Sequence, residues 1–373
     1  MKVEIERIKL AEALEFVRGG VKSSVTELAN IIEIEALDNE FKMINMGFET
    51  IAVATIDANV IEQDTIAING EDFNALMHKI DDEIMEIEKT SNSLVIKCRG
   101  GNIKLPLCNH NIKPIKFTDG EWKSIDIKML LRLLNSVEWS SNRKMSKQLQ
   151  TIGAVAIKTE GGVTTTMAID GISFAKAFND CGTDDHEILV LSTMAIQKLA
   201  LLAENVQISI DKSWVHLKDD KYLLSIRQLE NIFPMNTVRE AEQTTIDNAD
   251  AWININRDGF LAAVNLCMAA KVWHVDIVTE KNGIKLIGYS QSGNAIDLEV
   301  EAEKKGADFN VRLDVKKLLS TIKSFSDDKI NISVVSSIEM VLENGNIVYA
   351  PVVFSVPGYI AGVMPTIGGH NHE

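Results

Sequence analysis

The sequence predicts an α+β protein of three tandem domains, each with two helices packed on antiparallel sheets. Three observations lead there. A strand–helix–turn–strand unit recurs three times at constant spacing. A second amphipathic helix recurs upstream of each copy. The chain's 373 residues leave room for two to four domains of about 100–200 residues each.

The recurring unit reads IAINGEDFNALMHKIDDEIMEIEK from Ile66, LVLSTMAIQKLALLAENVQISIDK from Leu189 and FNVRLDVKKLLSTIKSFSDDKINISV from Phe309. Phe73, Ile196 and Leu319 are equivalent, as are Leu76, Leu199 and Ile322, and each step is 123 residues. Ser192 and Asp314 stand where a side-chain oxygen can accept an orphan helix N–H; in the first copy Asn69 or Gly70 is there. Apolar residues at i, i+3 and i+4 then form one buried stripe. After the helix the period drops toward 2, cleanly at Val206/Ile208/Ile210 and Ile330/Ile332/Val334, less so around Ile84–Ile87. The upstream helices are IKLAEALEFV from Ile8, IKMLLRLLNSV from Ile127 and NRDGFLAAVNLCMAAK from Asn256, with Leu10, Leu130 and Phe260 as equivalents.

These patterns predict helices over 7–18, 70–82, 126–137, 192–204, 256–271 and 314–328. Pro and Gly in PIKFTDGEW end a first domain at 118. The polar stretch FPMNTVREAEQTT reads as a linker before a boundary at 247. The domains expected are therefore 1–118, 119–247 and 248–373. Gly100-Gly101 and Gly161-Gly162 read as hairpin turns.

Composition excludes several classes. No stretch approaches the roughly 18 apolar residues of a membrane span, and MKVEIERIKLAEALEF lacks the pattern of a secretory signal, so a cytoplasmic protein without membrane contact is expected. Cys98, Cys108, Cys181 and Cys267 lack close metal-ligand spacing and read as reduced thiols. His78, His110, His186, His216, His274, His370 and His372 form no metal motif, and no phosphate loop or nucleophile elbow is present. Paired acids such as Asp81-Asp82 and Asp327-Asp328 read as solvated turns. No catalytic residue, cofactor or metal is expected.

With those features in place, the chain resembles the bacterial sliding clamp family, the beta subunit of DNA polymerase III, over essentially its whole length. MKVEIERIKLAEAL, GGVKSSVTELANIIEIEA, MAIDGISFAKA and VMPTI (from Val363) carry the resemblance. It implies a non-catalytic processivity factor: a ring formed as a head-to-tail homodimer around double-stranded DNA, with a replicative polymerase and a clamp loader as partners. It implies a partner-peptide pocket at Thr151, Ile152, Ile169, Gly171, Phe174, Val335, Ser337, Val363, Met364 and Pro365. It also implies a dimer interface using Ile103, Leu105 and Leu107 on one side and Met268 and Lys271 on the other. Ile169, Ile172 and Ser173 depart from the family pattern, as do Arg239, Glu240 and Ala241 and the tail TIGGHNHE. These departures mark a divergent or phage-borne member. An interaction scaffold that no longer loads onto DNA is the other class kept open; an enzyme would need a convergent polar cleft, for which the sequence offers no candidate.

The net charge of −15 argues against nucleic acid only if it is spread evenly. The six predicted helices carry 12 Lys or Arg and 12 Asp or Glu, so the excess acid lies elsewhere. A weakly charged hole in an acidic ring suits sequence-independent, topological contact. The residues expected to face DNA are Lys22, Arg132, Arg143, Lys144, Lys147, Lys198 and Lys316.

Overall fold

A computed structural model describes residues 1–18, 30–47, 49–109, 121–141, 153–182, 185–202, 205–229, 233–337, 339–341 and 347–366. Lys22, Arg143, Lys144, Lys147, Thr151, Ile152 and the two tail histidines lie outside the described residues. The chain divides into two compact units. One comprises Met1–Leu131, Cys181–Thr183 and Leu191–Leu229; the other comprises Arg132–Asp180, Asp184–Val190 and Glu230–Glu373.

The first unit contains two antiparallel sheets. One has the order β5 (Asn59–Glu62), β1 (Lys2–Glu6), β7 (Ile84–Lys89), β8 (Ser93–Cys98), β9 (Gly101–Pro106). The other has eight strands: β10 (Lys123–Ile125), β15 (Val206–Ile210), β16 (Trp214–Lys218), β17 (Tyr222–Arg227), β4 (Thr50–Asp57), β3 (Glu40–Met46), β2 (Ile31–Leu37), β6 (Asp64–Asn69). This sheet runs across the expected boundary at 118, because β17 pairs with β4 from Tyr222↔Ala54 to Ile226↔Thr50.

Helix α1 (Arg7–Arg18) buries Leu10, Ala13, Leu14 and Val17, the i, i+3, i+4, i+7 stripe that its sequence announces. Helix α2 (Gly70–Met77) is capped by Asn69, whose Oδ1 accepts from Glu71 N at 2.9 Å and Asp72 N at 3.2 Å. At Gly70 a Cβ would sit 2.5 Å from Ile32 Cδ1, so a larger residue there has to displace that buried side chain. Helix α4 (Thr193–Leu199) begins after Ser192, but the Ser192 side chain makes no cap hydrogen bond, contrary to expectation. The blurred strand resolves with Met85 and Ile87 buried and Ile84 exposed.

The second unit is organised around a twelve-stranded sheet. Its order is β14 (His186–Ser192), β11 (Ala154–Glu160), β12 (Val163–Ile169), β13 (Ser173–Asn179), β27 (Tyr359–Val363), β26 (Val352–Val356), β23 (Lys329–Val334), β18 (Ala251–Asn256), β21 (Ala295–Gly306), β20 (Gly283–Tyr289), β19 (His274–Glu280), β22 (Asn310–Asp314). A small pair, β24 (Glu339–Val341) and β25 (Ile347–Tyr349), stands apart. Helices α6 (Arg257–Ala269) and α7 (Val315–Ser324) pack together; Asn256 and Asp314 cap them through Gly259 N at 2.9 Å and Lys317 N at 2.8 Å. Helix α3 (Ile127–Glu138) spans the division between the units.

The stretch expected to be a linker is instead helix α5 (Met235–Asn248). Its buried positions, Met235, Val238, Glu242 and Thr245, share one face. Glu242 is paired with Lys176 at 3.0 Å, and Thr245 bonds back to Ala241 O at 2.8 Å. Half of the stripe is polar, so it carries no hydrophobic period in the sequence.

Strand order repeats. Read from β6, the first unit gives β6-β2-β3-β4-β17-β16-β15-β10; read from β14, the second gives β14-β11-β12-β13-β27-β26-β23-β18. In each, a four-stranded half joins another through one antiparallel seam, β4 with β17 and β13 with β27. Among the described residues two halves have no such seam: β22-β19-β20-β21, where Ala295–Glu301 pairs with β20 while Ala302–Gly306 of the same strand pairs with β18, and β1-β7-β8-β9, which ends on β9.

Candidate functional site

The motif MAIDGISFAKA folds as the β12–β13 hairpin, with Ile169 opposite Phe174. Gly171 has φ +92°, a conformation side-chain-bearing residues rarely adopt, so glycine serves the turn itself. Asp170 organises the turn. Its Oδ1 accepts from Ile172 N at 3.1 Å, Ser173 N at 2.8 Å and Ser173 Oγ at 2.9 Å, while Oδ2 is ion-paired with Lys317 in the first turn of α7. The sequence marked Asp170-Gly171 as a motif but held no sign of its partner 147 residues away.

The end of β27 lies against this hairpin. Ser173 is opposite Val363, and Met364 N donates to Ile172 O at 2.9 Å. Beyond it, Thr366 N donates to Arg312 O at 2.8 Å, and Arg312 grips Asp276 with two 2.7 Å bonds. Phe174 packs against Gly362, where a Cβ would come within 2.1 Å of the ring. Val335 follows β23 at the same end of the sheet, since Ser333 is opposite Val353 and Val353 opposite Gly362. The Ser336 side chain and N–H both donate to Asp250, which holds that carboxyl below its ordinary range and fixes the turn carrying Ser337.

Thus Ile169, Gly171, Phe174, Val335, Ser337, Val363, Met364 and Pro365 gather at one end of the sheet. They do not contribute alike. Phe174, Val335 and Val363 are core residues in the free chain; Gly171 and Ser337 are exposed, and Ile169, Met364 and Pro365 are partly so. Ile172 is 51% exposed beside them.

Of the cations expected to face DNA, Arg132 is exposed on α3 and Lys316 on α7, the latter with Nζ 5.6 Å from the centre of the Trp273 ring. Lys198 is a correction. It is only 2% exposed, and its Nζ donates at 3.3 Å to Val17 O in the last turn of α1. A cation is favourable at a helix C-terminus, but burial pushes its pKa down to about 8.

On the expected interface strand, Leu105 is buried against its own sheet, and Ile103 and Leu107 are partly exposed. At the end of α6, Met268 is partly buried. Lys271 is exposed at φ +60°, the left-handed residue that closes the helix. Leu266, Trp273 and Tyr289 are large exposed apolar residues of the same region.

One constellation resembles catalytic machinery. His216 Nδ1 lies 2.7 Å from Ser225 Oγ and its Nε2 3.4 Å from Asp211 Oδ2. Ser225 has no exposed area. It sits mid-sheet between His216 and Ile51, so no substrate carbon can reach its hydroxyl, and the chain of bonds is structural. All four cysteines are free thiols; Cys181 and Cys267 are buried and Cys98 and Cys108 partly so. Burial pushes the Cys267 thiol up to about 11. No helix among the described residues is long and apolar enough to cross a membrane.

In sequence, the chain matches no protein-family model and no curated protein. In structure, it is similar to several solved proteins along its full length. The DNA polymerase III beta subunit of Thermotoga maritima is 18% identical with a TM-score of 0.85, covering 99% of this chain and 100% of that one. A DNA polymerase sliding clamp from Caulobacter crescentus is 17% identical at TM-score 0.85 over the same shares. A putative DNA polymerase III beta subunit from Eubacterium rectale is 15% identical at TM-score 0.86, again over 99% and 100%. The α+β fold of this chain is therefore the fold of the bacterial DNA polymerase III beta subunits, the sliding clamps.

Proposed function

We propose that the chain is a DNA sliding clamp: a head-to-tail homodimer of three-domain chains that encircles duplex DNA and tethers a replicative polymerase. The observation that carries this reading is the pair of sheet edges left unmatched among the described residues. Two of three possible seams are made within the chain, β4 with β17 and β13 with β27. The β21 edge and β9 are the corresponding halves of a third. An edge strand presents unpaired N–H and C=O groups as a template for another chain. Joining β9 of one copy to β21 of the next is a heterologous contact, which closes a ring when the rotation suits.

Charge supports the same reading. With their observed bounds, the six helices expected from the sequence carry ten Lys or Arg and six Asp or Glu, in a chain of net −15. Arg132 and Lys316, with Lys22, Arg143, Lys144 and Lys147, are the proposed DNA-facing cations; the buried Lys198 is not among them. Loose contacts suffice because topology, not affinity, would retain the ring. The polymerase tail would dock where Ile169, Gly171, Met364 and Pro365 meet, with Phe174, Val335 and Val363 as the floor and Thr151, Ile152 and Ser337 at the margins.

The test is retention on nicked circular DNA before and after linearisation, alongside mass by light scattering. The expected result is a two-chain particle that a clamp loader places on circles and that slides off once they are cut. Equal retention on both forms would overturn the topological reading. For the groove, Met364→Ala should weaken a fluorescent polymerase-tail peptide; unchanged affinity would remove that assignment while leaving the ring intact.

A further inference from the structure

The two seams made within the chain are related by the repeat, yet they differ at one place. Tyr222 begins β17 and Tyr359 begins β27, at matching positions in the strand order. The helices flanking them are also matched: the 123-residue step sets Leu201 against Ser324, and the 120-residue step sets Phe16 against Ser136.

Around Tyr359 the space is sealed. Its Oη accepts from Trp139 Nε1 at 2.8 Å and lies 2.9 Å from Ser136 O and 2.7 Å from Ser324 Oγ. Its ring meets Phe325 edge-on at 4.8 Å. Burial pushes its hydroxyl up to about 12. The arrangement is a fully bonded plug.

Around Tyr222 no such bonded plug is found among the described residues. Serine hydroxyls are replaced by apolar groups, and Tyr222 instead stacks on Phe16, with ring centres 4.3 Å apart and planes 20° apart. A cavity of 550 Å³ opens over the half-buried Tyr222, beneath which Phe16 is fully buried; the rest of its apolar wall is made by Ala11 and by Leu201, which is 41% exposed. That volume falls in the range of ligand pockets, about 300–1,000 Å³. Four carboxylates stand on it: Glu12 and Glu15 from α1, and Asp219 and Asp220 from the β16–β17 turn, against His78 and Lys221. Burial, then Glu12 and Asp219, raise the pKa of the Tyr222 hydroxyl, as expected in a negative potential.

We propose that this acid-rimmed cavity over Phe16 and Tyr222 is a docking site for a basic peptide segment carrying one bulky aromatic or branched apolar anchor. The apolar walls take the anchor, and the carboxylates take the flanking Lys or Arg side chains. The rim's charge opposes DNA, so the occupant is a protein segment. The site shares no residue with the groove at Met364 and does not depend on it.

The test uses the full chain and a dye-labelled peptide with a single tryptophan flanked on both sides by lysine and arginine, read by fluorescence anisotropy. Saturable binding is expected. Alanine in place of the peptide's tryptophan should weaken it at least about tenfold. Glu12→Gln with Glu15→Gln should weaken it between about two- and thirtyfold, and added salt should do the same. Leu201→Arg, at an exposed position, and Ala11→Trp, which fills the cavity, should each abolish it with the melting temperature retained. A control pair in the other compact unit, the exposed Asp327→Asn with Asp328→Asn, should leave it unchanged. The proposal is overturned if binding does not saturate or if the alanine peptide binds equally well. It is also overturned if the control pair weakens binding as much as the rim pair, or if binding survives both Leu201→Arg and Ala11→Trp.

Discussion

Replacing Lys198 by methionine should stabilise the protein at neutral pH, and the gain should reverse in alkali. Methionine keeps the unbranched shape and removes the charge. In the folded chain the Lys198 pKa is lowered from 10.5 to about 8 because burial disfavours the ammonium. The unfolded chain therefore binds this proton more tightly, and stability rises as pH climbs from about 8 toward 10.5; below pH 8 the whole penalty is present. At about 1.4 kcal/mol per pH unit the gap amounts to about 3 kcal/mol. Against this, methionine leaves Val17 O without its donor, which costs about 1 kcal/mol. Lys198→Met should thus gain about 2 kcal/mol at pH 7 and lose about 1 kcal/mol near pH 11. Urea unfolding of both proteins from pH 7 to 10.5, at equal chain concentration, measures it. Because other thiols, phenols and lysines titrate in the same window, the difference between the two proteins is the quantity to follow. Parallel curves across that range would refute the argument, since Lys198 would then be hydrated in the native state. The same variant should leave retention on circular DNA unaltered.

Other consequences follow from the seams and the hairpin. Gly362→Ala places a methyl group 2.1 Å from the Phe174 ring and should cost about 1–3 kcal/mol in chemical unfolding. Asp170→Asn removes the buried carboxylate that Lys317 and the turn share; it should cost about 1–3 kcal/mol and weaken polymerase-tail peptide binding, whereas an unchanged melting temperature would mean the pair is solvated. Ile103→Asp with Leu107→Asp puts charge on the β9 edge. It should reduce the mass by light scattering from two chains to one while the circular dichroism spectrum stays native.

Much of this protein was legible in its sequence because the signals are local. The stripes Leu10/Ala13/Leu14/Val17 and Phe260/Ala263/Val264/Cys267 name the buried faces of α1 and α6 by periodicity alone. Asn256 and Asp314 announce helix starts, and Gly161-Gly162 a two-residue hairpin with both φ angles positive. The constant 123-residue step carried the repeat. What the tertiary structure decided depends on partners that arrive from far along the chain. Lys198 reads as a surface cation until Val17 O closes over it, 181 residues away. Glu242 reads as linker polarity until Lys176 neutralises it and lets α5 bury a polar stripe. The contrast between the sealed Tyr359 and the open Tyr222 rests on which residues two distant helices bring to equivalent strands. Periodicity records which face of an element avoids water; only the packed chain determines what that face meets, and therefore which charges stay buried and which edges stay free.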